Sequence, residues 1–262
     1  MKDVGADVVS RTVSRLRDAG CVFAEEEAEL IVGEAADATE LDIMVARRMS
    51  GVPLEVILGW VGFHGLRVEV DAGVFVPRRR TSFLVRQAVT LTRPRAVVVD
   101  LCCGTGAIGL AVAAAVPHVE LHACDVDPVA VRNAARNVGA VGGHTWCGDL
   151  FAPLPTTLLG RVHVVVVNAP YVPTAEIALM PAEARDHEPH HSLDGGVDGV
   201  AFHRRIGAEV GRWLIPGGHV LIETSEGQAE LSADALSRAG LDVTLATSED
   251  LGATAVIGRR RE

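Results

Sequence analysis

From Ala96 onward the chain alternates between short Val-rich apolar runs and Ala-rich segments of helical length, and this pattern leaves few folds open. Residues 96–101, 119–125, 144–147, 162–167, 219–223, 241–246 and 253–257 read as strands. Residues 82–91, 107–116, 128–138, 202–214 and 227–239 read as helices between them. A run such as 162–167 is apolar on both faces, so it must be covered on both, which means a parallel sheet between two helix layers. The expected fold is α/β, a doubly wound, mostly parallel seven-stranded sheet. Asp127-Pro128 supplies an N-cap and a first-turn proline for one helix, and Ser225 with Gln228 has the spacing of a capping box for the last.

A chain of 262 residues also has room for a smaller domain. Val9, Val13, Leu16 and Ala19 recur at helical spacing up to Gly20, and 25–36 and 38–49 continue the helical texture. We expect a helical domain over 1–59 and a β-hairpin linker over 60–80, built from strand-like pieces at 63–70 and 74–76. The α/β domain is expected over 81–262.

Lys and Arg number 24 and Asp and Glu 34, a net charge of −10, which disfavours nucleic acid as a direct substrate. The five cysteines are odd in number and form no CxxC pair, so a disulfide framework and a zinc site are not expected, and a reducing cytoplasm fits. Residues 1–7 carry no apolar signal core, and the apolar runs are of strand length, so no membrane span is expected. His187, Glu188, His190 and His191 cluster, but Pro189 interrupts them and adjacent histidines do not readily face one ion, so no metal is expected.

Polar residues at strand ends carry the chemistry. Asp100-Leu101-Cys102-Cys103-Gly104-Thr105-Gly106 closes a buried strand and opens a helix, and its glycines let a ligand approach the backbone. It is not G-x-G-x-x-G, so it fits a methyltransferase-type turn better than a dinucleotide turn. Asp125 ends the next strand, where a carboxylate can accept both ribose hydroxyls of a nucleoside. In Gly148-Asp149-Leu150 the carboxylate can reach an adenine amino group while Leu150 covers the ring. Asn168-Ala169-Pro170-Tyr171 follows the fourth strand. The Asn168 side-chain oxygen and a neighbouring carbonyl can accept two N–H bonds from a planar NH2 group, with Tyr171 as a flat wall.

With these motifs the chain resembles the protein-(glutamine-N5) methyltransferases that modify the Gly-Gly-Gln glutamine of peptide-chain release factors. The resemblance runs from Arg47 to Gln228. It takes in Gly51-Val52-Pro53-Leu54 through Gly59, Phe75-Val76-Pro77-Arg78 with Thr81, and Asp100 to Gly106. It continues through Asp125, Asn168 to Tyr171, and Glu188-Pro189 followed by Leu193-Asp194-Gly195-Gly196-Val197-Asp198-Gly199. It implies the Rossmann-like fold of class I S-adenosylmethionine-dependent methyltransferases. It implies S-adenosylmethionine as cofactor, held by Phe75, Asp100, Cys102, Gly104, Thr105, Gly106, Asp125, Asp149, Leu150 and Asn168, with S-adenosylhomocysteine as product. Asn168, Pro170 and Tyr171 are implied as catalytic. Arg78, Thr81, Ala169 and Glu188 join those three in binding a protein substrate, which the N-terminal helices dock to a monomeric enzyme.

Three departures mark a divergent paralogue. Ala169 stands where the family has a first proline, so the loop loses a fixed φ. Cys102-Cys103 replace the glycine-rich start of the cofactor turn, which is tolerable where φ stays negative. Arg79, Arg80 and Ser82 surround Thr81 where the family is acidic. These bear on the identity of the substrate more than on the reaction.

Overall fold

The computed structural model describes residues 2–262; of the stretch 1–7, Met1 lies outside the described residues. Four helices come first: α1 (Lys2–Asp18), α2 (Ala24–Glu34), α3 (Ala38–Met49) and the short α4 (Leu54–Leu58). Asp37 caps α3, its carboxylate accepting from Thr39 N and Glu40 N at 2.8 and 2.9 Å. The four helices share their own apolar cluster, centred on Leu16, Ala28, Ile31 and Val45. A bidentate Arg48–Glu27 pair ties α3 to α2, and Arg48 also donates to Val52 O.

The hairpin follows as β1 (Trp60–Phe63) and β2 (Leu66–Glu69). Its pairing differs from the expected 63–70 strand because His64 and Gly65 both have positive φ, 49° and 79°, and reverse the chain in two residues. Val74–Val76 forms no strand; this segment runs on towards the ends of the central strands. Phe63 and Val68 are buried in the apolar cluster of the α/β layers. Polar staples fix the hairpin further: Glu69 O accepts from Asn133 and Asn137, and Asn137 Oδ1 accepts from Glu69 N.

The α/β part contains α5 (Ser82–Leu91), β3 (Val97–Leu101), α6 (Ala107–Ala115), β4 (Glu120–Asp125), α7 (Pro128–Gly139), β5 (His144–Cys147) and β6 (Val162–Val167). It continues with α8 (Ala182–His187), α9 (Ala201–Val210), β7 (Leu214–Thr224), α10 (Ala229–Arg238), β8 (Leu241–Ser248) and β9 (Ala253–Arg260). The last seven strands form one sheet in the order β5-β4-β3-β6-β7-β9-β8. The first five run parallel and β9 is antiparallel to both neighbours. Alternation sorts the side chains: Val98, Val164 and Val166 face the layer of α5 to α7, while Val97, Val99, Val165 and Val167 face the layer of α9 and α10. Helix α9 stops at Val210, short of the expected 214, because Leu214 already pairs with Val162 in β7. The expected capping box is absent: Ser225 Oγ donates to Gln228 Oε1 at 2.5 Å and caps no backbone N–H. No helix among the described residues is long and apolar enough to cross a membrane.

Helix α6 lies unusually close to the sheet through Gly109. A Cβ there would stand 2.8 Å from Leu121 Cδ1 and 3.1 Å from the Asp100 side chain. Gly109→Ala should therefore destabilise the protein by about 1–3 kcal/mol through overpacking. Urea unfolding measures this; a loss below about 0.5 kcal/mol would mean the helix has room to withdraw.

Candidate active site

Strands β3 and β6 are neighbours, yet the chain leaves them in opposite directions, so a crevice opens at their carboxyl ends. It holds about 1190 Å³ of empty space, including its open mouth. Phe75, Arg78, Thr81, Cys102, Gly104, Thr105, Asp125, Asp149, Leu150 and all of Asn168 to Tyr171 line it. Three expected residues lie elsewhere. Asp100 is fully buried beneath the turn, on the α6 side of β3, with Oδ2 accepting from Gly109 N at 2.8 Å. Gly106 serves helix packing: its φ is 74° and a Cβ would stand 2.8 Å from Val138 of α7. Glu188 is buried against Arg78, whose Nη2 lies 2.7 Å from both carboxylate oxygens, and Val76 N donates to Oε1 at 3.3 Å. This pair holds the Val74–Arg78 segment over the crevice, with the Arg78 guanidinium 5.0 Å above the Phe75 ring.

The turn after β3 is bent by its bonds. Cys103 N donates to Cys124 O at 3.0 Å and Gly104 N to Asp125 Oδ2 at 2.9 Å. To reach both, the chain goes left-handed at Cys102, whose φ is 54°, not the negative value expected of a non-glycine residue. The cost is of the order of 1 kcal/mol. Asp125 Oδ1 accepts from Asp127 N at 3.0 Å, so backbone N–H groups fix the carboxylate at the rim while its remaining lone pairs face the crevice. Asp127 caps α7 through Val129 N, as its sequence position suggested. Asp149 pairs with Arg205 of α9, and Leu150, at φ 47°, buries its side chain beside it. The Thr105 Oγ1 in this wall is buried without a partner.

The opposite wall is the loop after β6. Among the described residues the Asn168 side chain makes no hydrogen bond, although it lines the crevice. Tyr171 is bound on both sides: Arg80 Nη2 donates to its hydroxyl, and the hydroxyl lies 3.4 Å from Glu223 Oε1. Arg80 Nε is also 3.4 Å from Glu223. Glu223 is buried at the end of β7, with Oε2 unpartnered. Burial and the nearby Glu223 push the Tyr171 phenol up to about 12, and burial raises the Glu223 carboxyl above its ordinary value. Arg80, Glu223, Phe202, Arg205 and Gln228 are not among the site residues expected from the sequence, which marks Gln228 only as a capping residue. Glu223 carries the signal used for Asp125, a carboxylate at the end of an apolar strand. Arg80 stands in the sequence only as one of the basic residues around Thr81.

Residues 65–184 match the family model of the methyltransferase small domain. The chain is 35% identical over 219 residues to a release factor glutamine methyltransferase of Geobacter sulfurreducens, covering 83% of this chain and 76% of that protein. It is 38% identical over 210 residues to the release factor glutamine methyltransferase of Mycolicibacterium smegmatis, covering 79% and 74%. A methyltransferase structure from Pyrococcus furiosus superposes with a TM-score of 0.58 at 16% identity, covering 76% of this chain and 90% of that one, a likeness of fold.

Burial raises the Asp100 carboxyl from 3.8 to about 8. The folded state then holds this proton more tightly than the unfolded chain, so wild-type stability falls as pH rises from about 4 to about 8. Asp100→Asn keeps an acceptor for Gly109 N and lacks this titration. Its melting temperature relative to wild type should therefore be higher at about pH 9 than at about pH 5. Ligand-free thermal melts decide it; a difference independent of pH would sink the assignment.

Proposed function

This chain belongs to the release factor glutamine methyltransferase family, and from that premise we propose that it methylates the side-chain amide nitrogen of a glutamine in a protein, the Gly-Gly-Gln glutamine of a peptide-chain release factor. The observation that carries this reading is the Asn168 amide, which ends an apolar strand, lines the crevice and is engaged by no other described residue.

The crevice suits S-adenosylmethionine. Asp125 and Asp149 offer rim carboxylates, Leu150 an apolar cover, and the turn at Gly104 a close backbone surface. Thr105 Oγ1 is a buried hydroxyl still lacking a partner. Bound there, S-adenosylmethionine supplies a methyl group on a cationic sulfur and leaves as S-adenosylhomocysteine. Asp125 would hold the ribose hydroxyls, and Asp149 with Leu150 the adenine.

The protein's own work is to present the acceptor. An amide nitrogen is a weak nucleophile because its lone pair is delocalised into the carbonyl. Asn168 Oδ1 and the Ala169 carbonyl would accept its two N–H groups and aim the nitrogen along the line of attack. As the nitrogen pyramidalises and becomes positive, those bonds strengthen, which favours the transition state over the ground state. Tyr171 forms the wall and, with its phenol near 12, stays neutral at ordinary pH, so it is not the base. No strong base is needed before attack, since the N–H becomes acidic once the methyl has arrived and its proton would pass to water at the open mouth of the crevice. Pro170 limits the loop's freedom. The net charge of −10 opposes a phosphate backbone as acceptor and favours a protein. The N-terminal helices, with their separate core, would dock that protein to a monomeric cytoplasmic enzyme.

With tritiated S-adenosylmethionine, wild-type release factor should be labelled and its Gln-to-Ala variant at Gly-Gly-Gln should not. Asn168→Ala should lower kcat by about 100-fold or more while the Kd for S-adenosylhomocysteine stays within about threefold. Label on the Gln-to-Ala variant would refute the acceptor. Parallel loss of turnover and cofactor affinity would refute the division of roles.

A further inference from the structure

Gln228 sits in the turn after β7, three residues before Leu231, and is 8% exposed. Its Nε2 donates to Tyr171 O at 2.7 Å and to Asp198 O at 3.0 Å. Its Oε1 accepts from Ser225 Oγ at 2.5 Å, so the two carbonyls and the hydroxyl together define which way the amide points. The backbone of Gln228 is held as well: its carbonyl accepts from Ser232 Oγ at 3.0 Å, and that hydroxyl lies 2.8 Å from the buried His203 Nδ1.

The same point is gripped from the other side. Gly195 N donates to Val172 O at 2.8 Å, and Val172 N donates to Leu193 O at 3.0 Å. A Cβ on Gly195 would stand 2.7 Å from Tyr171 Cα, and a Cβ on Gly199 would collide with both Tyr171 O and Gln228 Nε2. The glycine turn and the Gln228 amide therefore close on the Tyr171 backbone, three residues beyond Asn168. Among the described residues the Asn168 side chain has no partner, so its aim is set by the backbone that carries it, and Ala169 leaves that backbone without a ring to fix φ.

We infer that Gln228 is a positioning residue for methyl transfer: by pinning the Tyr171 and Asp198 carbonyls together, it holds the 168–171 loop in the geometry that the acceptor amide requires. The effect on turnover rests on the function proposed above; the clamp itself does not.

Tyr171 is the chain's single tyrosine, so 3-fluorotyrosine places one fluorine resonance at the clamp. Three proteins would be compared: wild type, Gln228→Met, which keeps the length and loses the donors, and Gln228→Glu, which keeps an acceptor for Ser225. The readouts are the fluorine spectrum, kcat and acceptor KM with release factor, and the Kd for S-adenosylhomocysteine. Both variants should shift, broaden or split the resonance. They should lower kcat by about 10- to 100-fold, with acceptor KM and cofactor Kd within about threefold. An unchanged resonance, a kcat within about twofold of wild type, or a loss of turnover matched by loss of cofactor binding in both variants would overturn the inference. If wild type methylates no release factor, the functional reading fails, and the fluorine spectra still decide whether Gln228 holds the loop.

Discussion

The site depends on one register. Leu101 of β3 lies opposite Cys124 of β4 on one side and Val167 of β6 on the other, and Val167 lies opposite Ile222 of β7. The residue after each pairing position therefore reaches the same rim: Cys102, Asp125, Asn168 and Glu223. The parallel ladders hold this alignment, and a slip of one residue in β6 would carry Asn168 off the rim. The sheet thus brings to one edge four residues spread over more than a hundred positions of sequence, three of them polar and only Cys102 packed on the core that aligns them.

The rim divides into a half whose polar groups are held and a half left open. Asp125 has both oxygens engaged by backbone N–H groups, and Asp149 is paired with Arg205. Tyr171 and Glu223 share Arg80. Of the polar residues that follow the pairing positions, Asp125 and Glu223 are bonded, whereas the Asn168 side chain has no hydrogen bond among the described residues. Asn168 is only partly buried, so its amide lies open to a ligand in the crevice. This asymmetry fits the primary amide proposed as the acceptor group.

Much of this was legible in the sequence, because period and burial are local properties. The apolar run of 162–167 could only be a central parallel strand, and the polar residue that ended it had to emerge at the crevice. What was not legible depends on partners far along the chain. Asp100 and Asp125 both look like strand-end carboxylates. Asp100, however, precedes the last strand residue, so alternation turns it towards α6 and beneath the turn. The pairing of Glu188 with Arg78 spans 110 residues and has no sequence signature. Ser225 and Gln228 have capping-box spacing, yet the carbonyls of Tyr171 and Asp198 claim the glutamine amide, and a local motif gives way to a tertiary one.

The departures from the family pattern are linked through the same contacts. Ala169 removes a conformational lock from the substrate loop, while the glycine turn at 195–199 packs on the Tyr171 backbone too closely to admit a Cβ. Arg80 brings a cation to the mouth, but that cation is shared between the Tyr171 hydroxyl and the buried Glu223 carboxylate rather than left for a phosphate. A basic residue so engaged organises the wall of the crevice. Ala169 and Arg80 therefore alter how the loop is held, while Asn168, proposed to meet the acceptor, keeps its place at the end of β6.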